Sequence, residues 1–492
     1  MNDIKKDNPL RAEKRRKLGK LRELGINPYP YSFDRTASVA DIRAKHGEIP
    51  AATELKEEVH QIAGRLMAMR TMGKSVFFNI QDQTGTLQVY IKPSALPEKQ
   101  MQAFDLLDLG DIVGVKGFVF KTKTGELSLH ADYFEMLTKT LEPLPEKFHG
   151  IADPEIKYRY RHLDLIMDKD SRKVFETRSK IITGIRNFLN ERGFLEVETP
   201  VLQPIYGGAS ANPFQTNLRA LDMTLYMKIS PELYLKRLIV GGFEKVYDLG
   251  KNFRNEGIDR THNPEFTMVE WYEAYTDYNY QMKQFEDLVA KLAKDITGST
   301  KVMYMDKEVD FTTPWRRLTV YDGLREYAKI EPNTISDQDL LNELKKHDKD
   351  AEMASKGEML MELFEHVVEQ HLWQPTFVMD HPEEISPLTK KHRTQAGLVE
   401  RFEPFAACME IGNSYSELND PEDQYDRLKT QEAKRVVDEE AQPMDEDFMH
   451  AIDVGMPPTG GVGLGVERIV MLLTNSSTIR DIILFPTMKH KN

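Results

Sequence analysis

The sequence predicts an α+β protein in which a small five-stranded β-barrel precedes a larger domain of helices and antiparallel strands. Three observations carry that reading. Five short β-compatible runs lie between residues 59 and 137, an amphipathic helical stretch runs from Ser171 to a stop at Gly193, and a strand–turn–strand unit spans Lys245 to Tyr272. The length of 492 residues is sufficient for about three domains and a large core.

The first 24 residues carry nine Lys or Arg (Lys5, Lys6, Arg11, Lys14, Arg15, Arg16, Lys17, Lys20, Arg22) against four acids. Residues 1–55 therefore read as a basic helical extension, either a solvated face or a local patch for a polyanion. The whole chain has a net charge of −13, which excludes a protein that grips nucleic acid over its entire surface but not one that uses a patch. Cys408 is the only cysteine, so neither an intrachain disulfide nor a cysteine-based zinc site can form, and a reducing compartment is expected. No apolar signal core or membrane-length apolar run occurs, and Asp3, Asp7 and Glu13 oppose a transit peptide. A cytoplasmic protein without membrane association is the expectation.

The barrel is placed at 56–140. Its runs are Val59–Arg70, Ser75–Gln81, Thr86–Lys92, Asp111–Lys121 and Glu126–Leu137, with a turn at Asp82–Gly85 and a helical interval near 97–109. This pattern suits an OB-fold, whose exposed face commonly binds single-stranded nucleic acid. Prolines 143, 145 and 154 mark a linker at 141–165. In the remainder, 166–492, Ser171 is the expected cap of a helix whose stripe of Val174, Phe175, Ile181, Ile182, Ile185, Phe188 and Leu189 faces a core. On the strand after the turn, alternation puts Phe266, Met268, Glu270 and Tyr272 on one face and Thr267, Val269 and Trp271 on the other. Charged sequence of helical character between about 277 and 391 reads as an insertion.

Two phosphate-loop readings fail. Gly73-Lys74-Ser75 lacks the glycine five residues earlier, where Ala68 stands. Gly461-Val-Gly463-Leu-Gly465 lacks a βαβ unit and an acid about twenty residues on.

Phe188–Pro200, Phe253–Phe266 and Pro458–Val470 resemble, in this order, motifs 1, 2 and 3 of the class II aminoacyl-tRNA synthetases. Within that class Ser230–Arg237, His262–Thr267, His381–Pro387 and Glu410–Asp420 are most similar to the lysyl-tRNA synthetases. The resemblance, which extends from about residue 55 to the C-terminus, implies an antiparallel catalytic sheet flanked by helices, a homodimer built on the 171–200 segment, and a lysine–tRNA ligase activity. That activity would activate L-lysine with ATP and transfer it to the 3′-terminal adenosine of lysine tRNA. Of the two class I signatures, only a partial echo is present, at Met353–Gly357.

Activation brings an amino-acid carboxylate onto the α-phosphorus of ATP. The nucleophile is already ionised, so alignment and charge neutralisation are needed rather than a base. Arg254, with paired planar donors, suits both the α-phosphate and the attacking carboxylate. By resemblance, Glu256 and Asn263 recognise adenine, Phe266 stacks on it, and His262 and Arg468 contact the phosphates or the ring. Glu403 and Glu410 match the family's Mg²⁺ ligands. Gly208 and Glu232 are placed at the lysine α-ammonium, Glu270, Tyr272 and Glu417 at its ε-ammonium, and Asn413 as an orienting group. An aspartyl or asparaginyl enzyme would not line its pocket with three glutamates, and a non-catalytic RNA-binding relative would not need Arg254, Glu403, Glu410 and Arg468 together. On the barrel, Phe77 is expected outward and Phe78 inward, with Phe77, Gln88 and Glu126 facing anticodon bases.

Overall fold

The computed structural model describes residues 9–145, 151, 153–347, 355–435 and 441–489. Lys5 and Lys6 of the basic run, and Met353 and Ala354, lie outside them. The chain divides into two compact units, Met1–Ala152 with His490–Asn492, and Asp153–Lys489. Among the described residues no helix is long and apolar enough to cross a membrane.

In the first unit, α1 (Pro9–Glu23) and α2 (Val39–His46) precede the barrel. The basic α1 is not merely solvated. Leu18 and Leu21 are buried, and buried Lys14 donates to the Leu109 carbonyl and to Thr140 Oγ1. Helix α2 begins with a reciprocal capping box between Ser38 and Asp41, which satisfies two otherwise orphaned N–H groups.

The five strands are β1 (Glu54–Met72), β2 (Ser75–Gln81), β3 (Thr86–Ile91), β4 (Ile112–Lys121) and β5 (Leu127–Thr138), with α3 (Glu98–Phe104) after β3. They close in the order β1-β2-β3-β5-β4, because the long β1 pairs with both β2 and β4 while β3 and β5 run parallel. Alternation decides what fills the barrel. Along β2, Val76, Phe78 and Ile80 are buried, whereas Ser75, Phe77 and Asn79 point outward.

The second unit starts with α4 (Pro154–Arg159), α5 (Arg161–Met167) and α6 (Lys169–Asn190). The cap of α6 is Asp168 rather than the expected Ser171: its carboxylate accepts from the Asp170 and Ser171 N–H groups. An ionised acceptor one turn earlier also gains from the positive end of the helix dipole. Ser171 lies in the first turn, its hydroxyl donating to Asp164 and Asp168. Ile181, Ile185, Phe188 and Leu189 are buried as the stripe requires, and Gly193 turns the chain at φ +82°.

There follow β6 (Leu195–Glu196), β7 (Leu202–Gln203), β8 (Gln215–Leu218), β9 (Met223–Met227), α7 (Glu232–Val240), β10 (Lys245–Phe253), β11 (Glu265–Ala274) and α8 (Tyr278–Thr297). Next come β12 (Lys301–Tyr304), β13 (Lys307–Asp310), β14 (Arg316–Thr319), α9 (Val320–Gly323), α10 (Asp337–Lys345), α11 (Lys356–Val367) and β15 (Thr376–Pro382). The last part holds β16 (Leu398–Ala406), β17 (Met409–Glu410), β18 (Gly412–Ser416), α12 (Pro421–Lys434), α13 (Glu446–Val454), β19 (Thr459–Gly465), α14 (Val466–Thr474) and α15 (Ile479–Ile482).

The main sheet has the order β14-β15-β16-β18-β19-β11-β10-β6, with β17 pairing β16. It is antiparallel except for the parallel pairs β14/β15 and β10/β6 at its edges. Helices α6, α8 and α14 cover one face, burying Phe188, Phe285, Leu288, Ile469 and Leu472 against Val269, Trp271, Val462 and Leu464. The opposite face holds the cleft described below.

The stretch 277–391 is not a purely helical insertion. Besides α8 to α11 it contains the β12/β13 hairpin and contributes β14 and β15 to the main sheet. Four residues of β14 are too few to show a strand period, and β15 carries Asp380 and His381 in a buried strand, which masks its apolar character.

Candidate functional site

Strand β19 explains why a cleft exists. Its sequence Thr459-Gly-Gly-Val-Gly-Leu-Gly465 sends Val462 and Leu464 into the core and turns Gly461, Gly463 and Gly465 to the open face. Register sets these beside Tyr272, Glu270 and Met268 of β11, and puts Tyr415 and Asn413 of β18 on the other flank of Gly461 and Gly463. The glycines form a floor without side chains, and the flanking strands supply walls. A Cβ at Gly461 would lie 2.0 Å from Glu417 Oε1 and 2.4 Å from Tyr272 Cε1, so no other residue fits there. The cleft measures about 410 Å³.

One end is cationic. Arg254, leaving the end of β10, has its guanidinium 5.2 Å from the Phe266 ring, and its buried Nε has no partner. Burial works against its charge while Glu256, Glu410 and Glu270 support it. His262 is fixed as one tautomer by its neighbours. Nδ1 faces Asp259 Oδ2 at 2.8 Å, and Arg468 Nη2 donates to Nε2 at 3.1 Å. Arg468 in turn pairs with Glu410 at 3.1 Å. Asp259 is drawn down to about 2, burial being outweighed by His262 and by two backbone N–H groups. Asn263 donates to the Glu265 carbonyl and leaves a buried Oδ1 free, while Glu256 is exposed at the rim.

The other end is acidic. Glu270 accepts from Ser230 Oγ at 2.7 Å and from the Tyr272 hydroxyl at 3.1 Å. Glu232 accepts from the Tyr415 hydroxyl and from Lys236 Nζ, both at 2.6 Å. Gly208 takes φ +82°, and a Cβ there would meet Glu232 Cβ at 2.8 Å, so glycine lets this loop close on the acid. Burial, followed by the charge of Glu232, pushes the Glu270 carboxyl up to about 8. Glu417 closes this end: its Oε1 lies on the open-face side of Gly461 beside Tyr272, where a Cβ would come within 2.0 Å of it, and its Oε2 is 2.5 Å from Lys236 Nζ. Burial raises its pKa well above the carboxylate range even against the attraction of Lys236. Lys236 itself is raised: burial acts to lower it, and Glu232 and Glu417 together prevail. The ammonium stays charged, and the acids cannot all be ionised at once.

Glu403 and Glu410 also line the cleft, Glu410 against Arg468 of the cationic end. Glu403 accepts from Arg401 Nη2 at 2.6 Å and lies 3.5 Å from His381 Nε2. Burial would raise it, but Arg401 and His381 hold it down to about 2. Arg401 Nε also donates to Asn413 Oδ1 at 3.1 Å, which fixes the amide. Nearby, burial together with Glu365, Glu403 and Glu410 pushes Glu369 up to about 8. Hard oxygen donors in this negative potential fit a divalent cation such as Mg²⁺.

Sequence reasoning missed several of these groups. Lys236 and Tyr415 lie inside motifs and Arg401 and Glu369 outside them, and none gave a signal that a charged or polar side chain turns inward. Glu467 was also missed: it accepts from the Thr267 N–H and from Arg178 Nη2, tying α14, β11 and α6 together.

On the barrel, Phe77 points outward and Phe78 is core. Phe77 lies 5.1 Å from Tyr90, which continues to His130 at 4.7 Å and from there to Phe118 at 4.6 Å. This aromatic surface row is longer than the sequence suggested. Gln88 is largely buried, bonded to Arg70 and Ser128, whereas Glu126 is exposed.

Residues 153–489 match the family model described as tRNA synthetases class II (D, K and N), and residues 60–137 match the OB-fold nucleic acid binding domain. With the antiparallel sheet and the cleft over β19, these matches place the chain in the class II tRNA synthetases. Similar proteins include the lysine–tRNA ligase of Clostridium novyi (strain NT), 49% identical over 98% of this chain and 95% of that one. That of Methanoculleus marisnigri is 51% identical over 96% and 94%, and that of Thermoanaerobacter pseudethanolicus 48% over 100% and 98%. Within its class, the chain belongs to the lysine–tRNA ligase family.

Proposed function

We propose that the protein activates L-lysine with ATP and esterifies it to the 3′-terminal adenosine of lysine tRNA. The observation that carries this is one cleft with a cationic end, Arg254 and Arg468 beside His262, and an acidic end, Glu232 and Glu270, a charge pattern that suits ATP at one end and a diammonium substrate at the other. Arg254 stands where it reaches both the α-phosphate and the lysine carboxylate, neutralising their repulsion as they approach. Phe266 stacks on the adenine, with Glu256 and Asn263 at its edge, and Asn413 orients the amino acid. Glu232, backed by Gly208, takes the α-ammonium, and Glu270 with Tyr272 takes the ε-ammonium. Glu417, beside Tyr272, joins Glu270 at the ε-ammonium, and Lys236 holds Glu417 and Glu232 in place. Glu403 and Glu410 would hold Mg²⁺, which when bound offsets phosphate charge.

The aromatic row around Phe77 and Tyr90 supports stacking of splayed anticodon bases, with Glu126 at its edge and Gln88 reaching them only if its Ser128 bond opens. Exposed Leu195, Val201 and Leu202 in and around β6 and β7 support a homodimer through this segment. We place the activity in the cytoplasm. Radiolabelled lysine incorporated into lysine tRNA by the purified protein and ATP tests the proposal; failure to charge that tRNA while another is charged would reject it.

A further inference from the structure

The first unit holds a second group of metal-ligating side chains, unrelated to the cleft. His46 stands in the last turn of α2, and Glu58 and His60 lie two residues apart on β1, Glu58 within the irregularity between Leu55 and Val59 and His60 just beyond it. Glu58 Oε2 lies 3.7 Å from His46 Nε2 and 3.8 Å from His60 Nε2, and one ligand atom from each residue falls within 4.8 Å of the others. Both Nε2 atoms are buried without a hydrogen-bond partner, and the His46 side chain is only 4% exposed. An unpaired buried imidazole nitrogen is unfavourable in a structural role, yet here two of them converge on one carboxylate. Metal–nitrogen and metal–oxygen bonds of about 2.0–2.1 Å span tetrahedral edges of roughly 3.4 Å, so the two Glu58–His gaps need to contract by only a few tenths of an ångström, and the imidazoles, whose ligand atoms lie within 4.8 Å of each other, close the third edge by side-chain rotation.

We propose that His46, Glu58 and His60 form a His₂Glu site for a borderline transition-metal ion such as Zn²⁺, with the fourth position left to water. Two imidazoles favour Zn²⁺ over the Mg²⁺ that suits the all-oxygen set of the cleft. Burial lowers both histidines and keeps them neutral, the form a metal requires. Bound metal would tie α2 to β1 across the loop between His46 and Glu54. A competing cation is present. Lys45 Nζ lies 2.7 Å from the same Glu58 oxygen, but it is 60% exposed, and such surface pairs are easily displaced.

The test is Co²⁺ titration of the full chain in excess Mg²⁺, followed by d–d absorption and by Zn²⁺ displacement. One Co²⁺ per chain with a tetrahedral-type spectrum is expected, and Zn²⁺ should abolish it. His60→Gln should weaken binding at least tenfold, with an unchanged circular dichroism spectrum confirming that the variant is folded. Lys45→Ala should tighten binding roughly 1.4- to fivefold by removing the competitor, since a surface pair contributes about 0.2–1 kcal/mol. Equal Co²⁺ binding by the native chain and by folded His60→Gln, or weaker binding by Lys45→Ala, would overturn the proposal.

Discussion

Lysine binding should expel a proton from the acidic end of the cleft. In the empty cleft the Glu270 carboxyl is raised to about 8 by burial and by Glu232. At pH 7 it is then about nine-tenths protonated, whereas a bound ε-ammonium stabilises only the carboxylate. Lysine's own amino groups are charged throughout pH 6–8 and do not contribute. Binding at pH 7 should therefore release about 0.9 proton, and affinity should rise about ninefold from pH 6 to 7 and about fivefold from pH 7 to 8. The sign for stability is opposite. Because the folded-state value exceeds the unfolded one, Glu270 favours the empty protein below about 4.5, and this contribution is lost as pH rises through about 8. Isothermal titration calorimetry in two buffers of different ionisation enthalpy reads the proton count directly. Glu270→Gln should release few protons, weaken lysine by about 2–5 kcal/mol and leave ATP binding nearly unchanged. Native protein that binds lysine at pH 7 without releasing protons would refute the reasoning.

Arg254→Ala should lower lysyl-adenylate formation about 10²- to 10³-fold with the fold intact; near-normal pyrophosphate exchange would remove it from the mechanism. Lys236→Met leaves Glu232 and Glu417 buried without their cation, an imbalance of about 3–5 kcal/mol, so thermal unfolding should begin roughly 5–10 °C lower. An unchanged melting temperature would mean that Lys236 is not the counter-ion. A chain beginning at Pro154 should keep lysine-dependent exchange but charge tRNA poorly, and Phe77→Ala in the full chain should raise KM for tRNA. Equal charging by the shortened and full chains would end the anticodon-reading role of the barrel.

Residues whose roles follow from local pattern were legible in the sequence. The barrel strands alternate cleanly, as at Val76, Phe78 and Ile80, and the Phe253–Phe266 turn announces its charges within one short segment. Glu270 and Tyr272 could be placed on one face because strand period fixes direction. Illegible were features set by distant partners. Lys236 has a local i,i+4 partner in Glu232, but nothing local says that Lys236 points inward, because Glu417 is brought to it by the end of β18. The strands within 277–391 escaped because β14 is short and β15 is buried with charged residues. Asp168 displaced Ser171 as a cap because two residues three positions apart offer the same chemistry, and only the backbone path chooses between them.

Amino-acid-dependent ATP–pyrophosphate exchange, run with each of the twenty amino acids on the purified full chain in Mg²⁺, tests the central claim most directly. It asks whether a cleft with Glu232 and Glu270 at one end and Arg254 at the other selects a substrate with two ammonium groups. Lysine alone should support exchange; equal or faster exchange with aspartate or asparagine, or none with lysine, would contradict the account.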